Sequence, residues 1–342
     1  MRIESLLIEN FRGIKRVYLQ KIGKTVVIAG QNGSGKSCVF DAIRLLKSVY
    51  GGYQYNEWQS WLGEFQIGAH NRLDGLRQMF RDPSAEITIE AGFSLHDSEK
   101  AYINSNAALM LTDSIWRQLL PEAFQYESAY RMALFSQQFR DREPEVQQRV
   151  LSLLPKLKSE LANPIHVGRM TVLPGSSTLT TEDSPLLTAI FSTYRPKDLG
   201  VIDYHGAQRF YAREQVQNVN ISLEQSTQVA SQNSLYNSAN KYANVKSELA
   251  TSYIKEALSE KAGGNYASTA GLTETLQELF KTFFPDKKFL GPTPTGQGNL
   301  LFPVETRLQA RSRRSKCRRK RDFIRIPENQ KLGSSPFNCV AG

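Results

Sequence analysis

Eight consecutive residues, Gly30-Gln31-Asn32-Gly33-Ser34-Gly35-Lys36-Ser37, follow the pattern G-x-x-x-x-G-K-[ST] in full. Each residue type has a physical task at its place. Glycine lets the backbone bend until successive N–H groups point into one concavity, with no Cβ obstructing an anion's oxygens. Lys36 brings one ammonium to that concavity, and the Ser37 hydroxyl is a hard oxygen ligand suited to Mg²⁺. The chemistry of such a set is to cradle the terminal phosphates of a nucleoside triphosphate, with Lys36 as the catalytic cation against the β- and γ-phosphates. The expected cradle comprises Gly30, Gln31, Asn32, Gly33, Ser34, Gly35, Lys36, Ser37 and Cys38, with Ser37 also the metal ligand. A chance match somewhere in a 342-residue chain arises on the order of one time in a hundred.

Such a loop needs a strand before it and a helix behind it. Thr25-Val26-Val27-Ile28-Ala29 is a short β-branched run, which predicts a central strand buried on both faces. Val39, Phe40, Ile43, Leu45 and Leu46 recur at helical spacing after the loop. The helix start would add its free N–H groups and positive dipole end to the same anion.

The remaining elements follow from periodicity. Leu6, Ile8 and Ile14–Leu19 alternate loosely around a turn at Arg12-Gly13, and Ala85–Leu95 alternates again. Residues 108–162 are mostly of helical period. His166–Leu173 and Leu199–Tyr204 are two more strand candidates. Residues 214–265, rich in Asn, Gln and Ser, predict a polar helical excursion. Leu272–Phe284 predicts an amphipathic helix stopped by Pro285, and Phe289–Glu305 a turn-rich hairpin.

Ile8-Glu9-Asn10-Phe11-Arg12-Gly13-Ile14, the glycine loop, and Asp41-Ala42-Ile43 together resemble the N-terminal lobe of ABC-type AAA ATPases of the RecF/SMC/SbcC group. They are also similar to the overcoming-lysogenization-defect (OLD) nucleases. No long coiled coil is encoded, which favours a short-insert, RecF-like or OLD-like branch. The resemblance implies an α/β P-loop NTPase fold, lobe one of an ABC-type ATPase head, with a helical insertion and an incomplete second lobe. It implies ATP and Mg²⁺ as cofactors, action on DNA in repair or phage defence, a homodimer closing around nucleotide, and a nuclease partner or domain. It places Asn10 and Arg12 near the nucleotide and offers Gln208 as the glutamine that reaches Mg²⁺. The matching division is a P-loop lobe at 1–107, a helical insertion at 108–162 and returning strands at 163–213. The excursion and the start of a second lobe follow at 214–306, then a basic tail at 307–342.

That tail holds eleven Lys/Arg and two acidic residues, so it carries +9 of the chain's net +10. The body is close to neutral, and the pI of 9.4 says little about its partners. The second lobe of the resembled group supplies a signature loop, an acidic Walker B strand and a switch histidine, and none of these is encoded here. Codons permitted for 307–342, read from the second nucleotide, can yield a signature-like LSAGEKE followed by IVLLD. The tail is therefore expected to be out of frame, and the chain alone to be inactive or nearly so as an ATP hydrolase. The alternative reading is a non-enzymatic nucleic-acid-binding protein that uses the basic tail for phosphate contacts.

Other function classes are weaker. His70, His96, His166 and His205 are scattered without metal spacing. Cys38, Cys317 and Cys339 form no paired spacing and suit a reducing cytosol. Nothing predicts a secretion signal or a membrane span.

Overall fold

The structure is a computed structural model. It describes residues 1–67, 76–126, 128–206, 235–236, 247, 249–254, 272–291, 293–294, 300–301 and 304–306. Gln208, the basic tail and most of the polar excursion lie outside the described residues.

The chain opens on an antiparallel hairpin, β1 (Arg2–Phe11) and β2 (Ile14–Gln20), closed by the Phe11–Ile14 pair around Arg12-Gly13. β3 (Ile87–Ser94) pairs with the other side of β1, then β4 (His166–Val172) with β3, and the short β5 (Thr180–Thr181) with β4. The sheet order is β2-β1-β3-β4-β5, antiparallel throughout. Ile8, Ile89 and Met170 lie opposite one another on three adjacent strands, all fully buried. Such a row fixes register, because a one-residue slip would turn every one of these side chains to the other face.

Helix α1 (Lys36–Tyr50) lays Ala42, Leu45 and Leu46 into the core. Its Tyr50 hydroxyl bonds both the N–H and the carbonyl of Arg169 on β4. α2 (Glu57–Glu64) inserts Trp61, whose indole N–H donates to the Asp41 carbonyl at 3.1 Å. The helical layer is α3 (Asp97–Leu119), α4 (Ser128–Leu161) and α5 (Pro185–Ser192). Trp116 of α3 meets Phe139 of α4 edge to face at 4.7 Å. α5 starts on Ser184, whose hydroxyl accepts the Leu187 N–H, with Pro185 at the first helical position. A further helix, α6 (Leu272–Phe283), leads into nested pairs, β6 (Lys287–Phe289) with β9 (Val304–Thr306) and β7 (Thr293–Pro294) with β8 (Leu300–Leu301).

Two expected strands do not form. Thr25–Ala29 belongs to no sheet, and Val27 is 85% exposed instead of buried on both faces. β-branched residues favour an extended backbone, but a strand also needs a neighbour to bond to. No described residue supplies a ladder for this run. Leu199–Tyr204 joins no ladder among the described residues: the Leu199 N–H closes a turn on the Arg195 carbonyl, and the Ile202 N–H donates to the Tyr53 hydroxyl. The helical stretch expected from residue 108 begins earlier, at Asp97. No helix among the described residues is long and apolar enough to cross a membrane.

Candidate functional site

The loop at 30–35 runs directly into α1. Gly33 and Gly35 sit at φ +80 and +87, the left-handed region that a side chain rarely adopts. A Cβ on Gly30 would come within 2.9 Å of Ser34 Oγ, so the loop closes tightly on itself. Gly35 packs against the β1–β2 turn, where a Cβ would meet Ile14 Cγ1 at 3.4 Å. The hairpin is thus the floor on which the loop rests.

The first turn of α1 has no side-chain cap and no acidic residue. Among the described residues no side chain caps its leading N–H groups. Lys36 Nζ folds back to donate to the carbonyls of Gly30 and Gln31, at 2.7 Å each. That posture holds the ammonium over the loop, beside the exposed Ser37. A cradle of uncapped amides with one cation and one hydroxyl fits a chain of phosphates. No group of three or more His, Cys, Asp or Glu able to hold a metal occurs among the described residues. A Mg²⁺ ion here would take Ser37 Oγ and draw its other ligands from phosphate and water.

The neighbouring candidates are placed differently. Cys38 is half-buried in the first turn of α1, against Gly13 of the hairpin turn. Arg12 stands at that turn, yet its Nη1 donates to Asp41 Oδ2 at 2.8 Å and its guanidinium lies 4.0 Å over the Phe65 ring. Asn10 is turned away from the loop. Its amide donates to the carbonyls of Asp82 and Ala85, and its Oδ1 accepts the Asp82 N–H. Asn10, at φ +54, is therefore a clamp on the segment before β3.

A charged face of α1 was not anticipated as such. Asp41 is buried between Arg12 and Arg44, and burial pushes its carboxyl above the usual range while both guanidiniums pull the other way. Arg44, itself buried, forks onto Glu64 at 2.5 and 3.2 Å and donates to the Leu235 carbonyl. Lys47 and Glu57 form a fully buried ion pair. The signal in the sequence was the spacing 41, 44, 47, which lies on one stripe of the helix among apolar residues.

A family model described as an AAA ATPase domain matches residues 1–289. The chain is 28% identical over 125 residues to the uncharacterized protein MJECL10 of Methanocaldococcus jannaschii, an alignment covering 32% of this chain and 53% of that protein. The chain thus spans about half the length of this curated relative. No solved structure matches it. With its glycine loop inside the matched span, the chain belongs to the AAA ATPase domain family.

Proposed function

We propose that residues 30–38 bind MgATP and that the chain is the ATP-binding module of a RecF/SMC-like ATPase. The observation that carries this reading is the uncapped start of α1 joined to a glycine loop whose Lys36 is held over it. In the intact protein, ATP-driven closure of a homodimer would be coupled to DNA transactions in repair or phage defence, with a nuclease partner or domain acting on the strand. When bound, Mg²⁺ neutralises charge on the β- and γ-phosphates. Lys36 supplies the fixed cation on the protein side, Ser37 the hydroxyl, and the α1 amides the directional donors.

The second lobe is proposed to be missing from this chain. Val26 and Val27, 49% and 85% exposed in a run that has no strand partner among the described residues, support that reading. Hydrolysis needs a carboxylate to orient the attacking water, and the acidic strand that carries it belongs to the second lobe. MgATP binding is therefore expected to be saturable but weak, and phosphate release to stay at background. Equilibrium dialysis and phosphate release on one sample test both statements. Turnover per site equal to that of an intact relative would overturn the proposal.

The charge of +9 on residues 307–342 favours one other reading, a non-enzymatic nucleic-acid binder. That reading requires a steep salt dependence of DNA affinity, abolished by deleting 307–342.

A further inference from the structure

The far end of α1 carries a second opening that the phosphate loop does not use. α1 spans fifteen residues, so its C-terminus lies about 22 Å from the loop. There, the α1–α2 connection, α3, the 3-10 turn Pro121–Gln125, the start of α4 and the end of α5 line an open cavity of about 660 Å³. A smaller one of about 220 Å³ shares part of its wall, including Tyr55, Arg117 and Phe124. The larger volume lies within the range of small-molecule sites and far exceeds a lone phosphate.

Its lining is cationic and aromatic. Three arginines, Arg117, Arg131 and Arg195, face one carboxylate, Asp113. Arg117 Nε is tied to Asp113 at 2.8 Å, and both Arg117 and Arg131 lie over the Phe124 ring, at 5.0 and 4.1 Å. Arg131 is anchored by the carbonyls of Ala123 and Tyr126. Two guanidiniums are thus held near one another, and Asp113 is the one carboxylate among the residues that line the cavity. Burial and the neighbouring Arg117 lower the pKa of Arg131, and Asp113 acts in the opposite direction.

The rings complete the picture. Tyr102, Tyr194 and Phe124 line the larger cavity, and Tyr194 meets Tyr53 edge to face at 5.2 Å. Stacking on aromatic rings and guanidinium planes is how proteins hold nucleobases.

We propose that this cavity is a second ligand site, for a nucleoside monophosphate or a similar small aromatic anion. Arg117, Arg131 and Arg195 take the phosphate, and the rings take the base. The site is independent of the phosphate loop, whose amides and lysine select for longer phosphate chains.

Titration calorimetry with AMP, GMP, CMP and UMP tests this on the full chain, in wild type and in Lys36→Ala. At least one monophosphate is expected to bind both proteins equally. Arg195→Gln changes an exposed side chain, and Arg117→Gln a half-buried one, with folding checked by circular dichroism. Each is expected to weaken that binding about tenfold, the loss of one charge-assisted hydrogen bond. Absence of heat with all four monophosphates would overturn the proposal, as would affinity unchanged in both arginine variants. Inorganic phosphate binding as tightly as the monophosphates would overturn the role of the rings. Binding of a single-stranded oligonucleotide alone would place a polymer, not a mononucleotide, on this surface and refute the assignment.

Discussion

Arg12 donates to Asp41 at 2.8 Å across the joint between the β1–β2 turn and the first turns of α1. The contact ties the floor of the phosphate loop to the helix that leaves it. Asp41 is buried, so removing the guanidinium strands a carboxylate whose remaining partner, Arg44, stands at 3.4 Å and is shared with Glu64. Arg12→Ala is expected to cost about 1–3 kcal/mol by urea denaturation, reduced from a fully buried pair because Arg12 is partly exposed. A double-mutant cycle with Asp41→Asn should give a coupling of at least ~1 kcal/mol. Strict additivity would show that the pair does not hold the joint.

Gly30 tests the loop's closure. A methyl group there meets Ser34 Oγ at 2.9 Å, while Ser34 Cβ lies at 3.7 Å, an ordinary contact. Gly30→Ala is expected to weaken MgATP binding roughly tenfold, about 1.4 kcal/mol. The same change made in a Ser34→Ala background should lose much less, since the clashing atom is gone. Equal losses in the two backgrounds would contradict the steric account.

The Lys47–Glu57 pair is buried on both sides, and Tyr53 N–H also donates to the carboxylate, at 3.3 Å. Burial drives both partners toward neutrality, pulling Lys47 down to about 8 and pushing Glu57 up. Glu57→Leu alone, leaving an uncompensated ammonium, is expected to destabilise by about 3–5 kcal/mol. Lys47→Met combined with Glu57→Leu should cost markedly less. Denaturant midpoints at constant slope read the difference.

His166 begins β4 opposite Phe93, and its Nε2 is buried without a hydrogen-bond partner among the described residues. Burial lowers its pKa below the ordinary 6.5, with Lys100 adding to the effect. The unfolded chain therefore binds a proton that the folded chain resists, so folding stability declines as pH falls below about 6.5. His166→Gln is expected to flatten that decline between pH 7 and 5 in thermal melts. Identical pH profiles for the two proteins would remove His166 from the account.

Much of this architecture was legible from residue spacing. The glycine loop, the helix behind it, and the strands around Leu6, Ile89 and Met170 follow from patterns within single segments. The family match over residues 1–289 agrees with the resemblance drawn from residues 8–43 at the level of an AAA ATPase. Thr25–Ala29 was misread because propensity resides in a segment while pairing resides in its neighbour. The resemblance placed Asn10 and Arg12 near the nucleotide, but local sequence does not show their partners, Asp82 and Asp41, which lie 72 and 29 positions away. The buried pairs of α1 were missed for the same reason, since charge spacing on a helix does not say which side is covered.

The central claim is that residues 30–38 hold a nucleotide's phosphates, and Lys36 tests it most directly. Among the described residues Lys36 donates only to loop carbonyls, at the start of α1, so Lys36→Ala should fold normally by circular dichroism. Titration calorimetry with MgATP is expected to show at least a tenfold weaker affinity in Lys36→Ala than in the wild-type chain, the loss of one charge-assisted contact. Equal affinity in the two folded proteins would contradict the account.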